Sequence, residues 1–136
     1  ALQSFPMGGR AGMLVFVETD RRGTPMVRVL RRTNRSDRWE SADSLVVGFP
    51  IKYMRAAIDH SGTMHLFTER SQIQNARIAM FYASFREQWT PIIEVFKGRD
   101  ATDAALTTSS TGVPMILFTQ TRGGKVLSLH SRLLRQ

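Results

Sequence analysis

Seven arginines crowd one short stretch: Arg21, Arg22, Arg28, Arg31, Arg32, Arg35 and Arg38, with Asp37 the one acid among them. A guanidinium keeps its charge at every physiological pH. It presents donors in a planar fork that matches carboxylate, sulfate and phosphate groups. The stretch therefore reads either as an anion or nucleic-acid patch or as a solvated hairpin in an arginine-rich chain. Trp39 is the one aromatic beside it. Single-stranded nucleic acid is held on several stacked aromatics, so a nucleic-acid partner is the weaker reading.

Little else is arranged for chemistry. The chain has no Cys, which removes disulfides, thiolate nucleophiles and Cys-ligated metals. His60, His65 and His130 form neither an H-x-x-x-H nor an H-E-x-x-H pattern. No P-loop, G-x-G-x-x-G or nucleophile elbow occurs. Glu18, Glu69 and Glu94 fall in strand-like runs and read as solvent-facing. Asn34-Arg35-Ser36 has the form of a glycosylation sequon, a triplet frequent by chance. No catalytic residue, metal or cofactor is expected from these patterns.

The elements that would carry these residues follow from the rest of the chain. Its 136 residues suffice for one domain, and 42% hydrophobic content is that of a globular protein. No run of 18 apolar residues is present, so no membrane-spanning helix is expected. The opening residues, Ala1 to Gly12, lack the layout of a signal peptide, and a start at Ala1 reads as processing or trimming.

A repeat is visible by eye. Met13-Leu14-Val15-Phe16, Met64-His65-Leu66-Phe67 and Met115-Ile116-Leu117-Phe118 share the pattern M-x-(V/L)-F at spacings of 51 and 51. Gly12, Gly62 and Gly112 are 50 apart, as are Trp39 and Trp89. Each M-x-(V/L)-F run reads as a strand. A turn and a second extended run follow it: 26–33, 77–84 and 125–134. A Trp then opens a further strand at 39–47 and 89–96, and small-residue strands precede the glycines at 55–59 and 103–107. Helical periodicity is weak throughout.

Four antiparallel strands recurring every fifty residues is the signature of a β-propeller blade. The expected fold is all-β: a propeller segment of about three four-stranded blades, at about 1–48, 49–98 and 99–136. The first blade has a poor inner strand and the last lacks its outer one. On this reading the three motif methionines occupy like positions. The residues at the inner-strand starts, Arg10, Lys52, Tyr53, Arg55 and Asp103, line an axial ligand pocket.

The middle unit reads Arg55-Ala-Ala-Ile-Asp59-His-Ser-Gly62-Thr-Met-His65-Leu-Phe67, then Arg77-Ile-Ala-Met-Phe-Tyr82-Ala-Ser84, then Gln88-Trp89-Thr-Pro91. It resembles the sialidase-like, bacterial neuraminidase repeat propellers, whose blades show D-x-x-G-x-x-H, I-x-Y-x-x-S and W-x-x-P elements. The resemblance implies that Asp59 is a turn residue. It also implies an activity built from a Tyr nucleophile, a carboxylate and three arginines, but no catalytic motif of that family is matched. It slightly favours an extracellular or periplasmic location.

Three blades leave two apolar faces open, so the chain is expected to assemble. A homodimer would give six blades, or another chain would supply the missing ones. The leading expectation is a non-catalytic module that binds saccharide or acidic groups. The alternatives are a sialidase-type hydrolase, whole or in part, and a basic structural subunit of a larger complex such as a ribonucleoprotein.

Overall fold

The structure, a computed structural model, describes residues 2–70, 77–99, 101–109, 111, 113–122 and 125–133. Strands dominate the described residues, and no helix occurs among them. The strands form three antiparallel sheets, each a simple meander. Sheet I holds β1 (Leu2–Pro6), β2 (Gly12–Thr19), β3 (Pro25–Arg32) and β4 (Glu40–Val46). Sheet II holds β5 (Ile51–Ile58), β6 (Met64–Arg70), β7 (Arg77–Phe85) and β8 (Ile93–Arg99). Sheet III holds β9 (Ala101–Thr108), β10 (Pro114–Arg122) and β11 (Lys125–Leu133).

The expected strands are present, with three shifts. The first sheet has a full first strand, β1. The strand expected at 55–59 begins earlier, at Ile51, so Lys52 and Tyr53 lie within it. Trp89 stands in the loop before β8, held by an isolated bridge to Phe85.

Alternation along the strands decides which side chains meet between sheets. Met13, Val15, Val27 and Val29 of sheet I pack against Met54, Met64, Leu66 and Phe85 of sheet II. Phe67, Met80 and Tyr82, on the other face of sheet II, pack against Ile116 and Phe118 of sheet III. Strand β6 is thus buried on both faces from Met64 to Glu69. Each fully buried large apolar side chain contributes about 1.5–3 kcal/mol, so these two seams hold the molecule together. The first strands run side by side, β1 next to β5 and β5 next to β9.

The turns reveal the structural register of the repeat. The hairpins close with Met7 N–H to Ala11 O (3.1 Å), Asp59 N–H to Thr63 O (3.0 Å) and Ser109 N–H to Val113 O (2.8 Å). The pairs that follow are Pro6↔Gly12, Ile58↔Met64 and Thr108↔Pro114. Gly12, Met64 and Pro114 are therefore equivalent, and so are Met13, His65 and Met115. The M-x-(V/L)-F alignment is out of step with this by one residue at β6, and a one-residue slip moves every side chain to the opposite face. Met13 and Met64 accordingly face each other across the first seam, and Met115 is half-buried outside both seams. The three methionines do not share one environment, contrary to the sequence expectation. The glycines are not equivalent either. Gly62 takes φ +86° in its turn, whereas Gly12 lies in β2 with the Trp39 indole closely over it.

In the corrected register both seams have the same sense. Met13 and Val15 point from sheet I to sheet II, and Phe67, the equivalent of Val15, points from sheet II to sheet III. Leu66 points back to sheet I, and its equivalent Ile116 points back to sheet II. Arg32 and Phe85, each paired with the first residue of the second strand, are also equivalent. The Arg32 guanidinium stacks on Trp39, 4.7 Å from the ring centre, and Phe85 packs on Trp89 at 5.3 Å.

Candidate functional site

Strand β5 brings Lys52, Tyr53 and Arg55 together beside β9. The Tyr53 ring packs on Phe67 at 6.1 Å, and the exposed Arg55 guanidinium lies over that ring at 5.0 Å. Arg55 Nη1 donates to the Met54 carbonyl at 3.0 Å. Lys52 Nζ lies 3.2 Å from Oε1 of Glu69, whose side chain is 1% exposed. Glu69 is therefore not solvent-facing as its sequence context suggested. It sits on the sheet III side of β6, and the Lys52 ammonium compensates its burial. Of the other two acids, Glu94 is exposed and Glu18 is half-buried.

Asp103 lies on β9 at the position Tyr53 holds on β5, counted back from the equivalent hairpins. Its side chain lies outside the described residues, as does that of His130. Arg10 is elsewhere. It follows β1, at the end of the sheets where β5 finishes, roughly the length of β5 away from Lys52, or about 25 Å. There Arg10 pairs with Asp37 (Nη1 to Oδ1, 2.8 Å), and both side chains are well exposed.

The arginine run of 21–38 does not make one patch. Arg21 and Arg22 occupy the β2–β3 turn, where the Asp20 carboxylate accepts the N–H groups of Arg22 and Thr24 at 2.8 Å each. The Thr24 amide, with Arg22 and the Thr24 hydroxyl, holds the Asp20 carboxyl below its ordinary value against a smaller desolvation effect. Arg28 pairs with Glu18 at 2.7 Å in mid-strand. Arg31 and Arg32 end β3, a strand's length from Arg22. Arg35 and Arg38 are exposed in the loop beyond. Arg10 joins this second group because Arg32 Nε donates to its carbonyl at 2.6 Å.

Two clusters were missed at the sequence level. In the first, Arg86 meets Arg31 across the seam, with Arg31 Nη2 donating to the Arg86 carbonyl at 2.8 Å. Together with Arg32, Asn34 and the Ser61–Gly62 turn they line a cleft of about 430 Å³ between sheets I and II. Asn34 Oδ1 accepts the N–H groups of Arg10 (2.8 Å) and Ala11 (3.0 Å). It supplies from the β3–β4 loop what Asp59 supplies within its own hairpin. The sequon reading of Asn34 gave no sign of this. Nothing in the local sequence could have done so, because the partners are more than twenty residues away.

The second cluster is a buried chain of Asp59, His65 and Tyr82. Asp59 accepts the Ser61 N–H (2.9 Å), the Ser61 hydroxyl (2.6 Å) and the Thr63 N–H (3.1 Å) on Oδ1. This is the turn role that the sequence assigned to it. Its Oδ2 lies 2.7 Å from His65 Nε2, and His65 Nδ1 lies 2.8 Å from the Tyr82 hydroxyl. One neutral tautomer, with Nε2–H donating to Asp59 and Nδ1 accepting from Tyr82, satisfies every group. Burial works to raise the Asp59 pKa. The Ser61 hydroxyl, His65 and the Thr63 and Ser61 amides outweigh it and hold the carboxyl at about 2. Burial pushes the Tyr82 phenol up, and the Asp59 charge adds to this against a smaller effect of the Ser84 hydroxyl. Tyr82 is 4% exposed and its phenol is harder to ionise than usual. A buried, protonated phenol with no open face is a poor nucleophile, so the chain of groups braces the β5–β6 hairpin against β7. Asp20-x-x-Gly23-Thr24 and Asp59-x-x-Gly62-Thr63 share this turn chemistry, a similarity legible in the sequence.

Among the described residues no group of three or more His, Cys, Asp or Glu side chains is placed to hold a metal ion. No protein-family model, curated protein or solved structure matches the chain.

Proposed function

We propose that the chain is a non-catalytic binding module of the β-propeller type, completed by a second copy of itself, that recognises saccharide or acidic groups. Two features support the propeller reading: first strands set side by side, and two seams of the same sense. A third seam of that sense needs a sheet behind sheet I. The apolar Leu2 (66% exposed), Val46 (58%) and Trp39 (36%) lie open on sheet I or at its edge. Two copies would close six sheets, with sheet III of each copy on sheet I of the other.

The observation that carries the binding reading is Arg55, stacked on Tyr53 and exposed on β5 beside β9. An exposed guanidinium fork held over an aromatic ring suits the carboxylate of an acidic sugar. Lys52 and Asp103 stand on the same two strands. The test is a glycan array probed with the wild-type chain and with Arg55→Ala. Binding of acidic glycans that disappears in the variant is the expected result. Equal binding by both proteins would remove this site from the function.

A further inference from the structure

The cleft between the turn ends of sheets I and II is built differently from the β5 site, and neither sheet forms it alone. Two arginines reach it from two sheets: Arg31 from the end of β3, and Arg86 from just beyond β7. The Arg31 guanidinium is fixed in place before any ligand arrives. Arg31 lies over the Phe85 ring at 5.6 Å with Nη2 on the Arg86 carbonyl. Arg32, paired with Gly12, lies with Trp39 on the opposite face of sheet I and does not face the cleft. The Arg31 hydrogen bond uses one of its donors. A fork held in this way loses little freedom when it binds, which favours affinity.

The one carboxylate lining the cleft is Glu87. Its Oε2 is 3.7 Å from Arg31 Nη1, beyond hydrogen-bonding distance, and its side chain is 85% exposed. An exposed pair at that range is weak and easily displaced. The apolar Met7, Ala11 and Met13 also line the cleft, Met13 buried and Met7 exposed. A fixed guanidinium fork, an exposed second arginine and an apolar lining, in about 430 Å³, suit a small organic anion rather than a bare inorganic one.

We propose that this cleft binds a carboxylate or sulfonate-type anion carried on an apolar ring or short chain, with Glu87 as the built-in competitor that it displaces from Arg31. The site is independent of the β5 site. Calorimetric titration of the full chain at low ionic strength with benzoate, benzenesulfonate, glucuronate and neutral benzamide tests it, with tryptophan fluorescence reporting on Trp89, which packs on the Phe85 ring that Arg31 covers. Benzoate or benzenesulfonate is expected to bind, glucuronate more weakly and benzamide not at all. Glu87→Gln should tighten binding about two- to fivefold. Arg31→Gln and Arg86→Gln should each weaken it about tenfold or more. Arg55→Ala should leave it unchanged, which separates this cleft from the β5 site. Benzamide binding as well as benzoate, no binding of any of the anions, or affinity indifferent to both Arg31→Gln and Arg86→Gln would overturn the proposal. Arg86→Gln alters an exposed side chain and so guards against an Arg31 variant that fails to fold.

Discussion

His65 Nε2 and Asp59 Oδ2 lie 2.7 Å apart in a pocket that leaves both side chains less than a tenth exposed. The pair joins a hairpin turn to a residue of β6 that faces sheet III, and through Tyr82 to β7. Because Asp59 is held at about 2 when folded, against 3.8 ordinarily, its ionised form is favoured by folding. Its contribution is complete above about pH 4 and is lost as the pH falls through 2. Thermal melts between pH 5 and pH 2 should show a steady loss of stability, and Asp59→Asn should flatten that slope. An equal slope in the variant would contradict the assignment.

Tyr82→Phe removes the hydroxyl partner of His65 Nδ1 and leaves a buried ring nitrogen unsatisfied. The expected loss is about 1–3 kcal/mol in chemical denaturation. A neutral result would mean that the hydroxyl adds nothing to the brace.

Asn34→Ala removes the acceptor for two amide groups of the β1–β2 turn. The site is exposed, so a loss of about 1 kcal/mol is expected. Asn34→Asp should keep most of that stability by supplying the same acceptor. Hydrogen exchange at Arg10 and Ala11 is the direct readout, with faster exchange expected in the alanine variant only.

The strands were legible because each is a short apolar, β-branched run closed by turn residues such as Asp20-Arg21-Arg22-Gly23 and Asp59-His60-Ser61-Gly62. Their facing was not. Strand β6 is buried on both sides, so it has no alternation of polar and apolar residues to mark its faces. Aligning Met64 with Met13 by eye then slipped the register by one residue. Glu69 misled for the same reason, since its partner Lys52 belongs to another strand. The arginine run was legible as charge but not as a surface. Strand β3 carries its two ends apart, and Arg86 arrives from a different sheet.

The Trp39 indole should become covered when the outer side of sheet I is occupied. Trp39→Ala and Leu14→Asp are expected to weaken self-association, and Leu14→Asp the more strongly because it sets a charge within the sheet. Sedimentation of the two variants against wild type is the check. Association unchanged in both would remove sheet I as the contact.

Sedimentation equilibrium of the wild-type chain probes the ring most directly. A folded species of twice the 15.4 kDa chain mass is expected, with unfolding that shifts to higher temperature as concentration rises. A cooperatively folded species of 15.4 kDa at every concentration would contradict it.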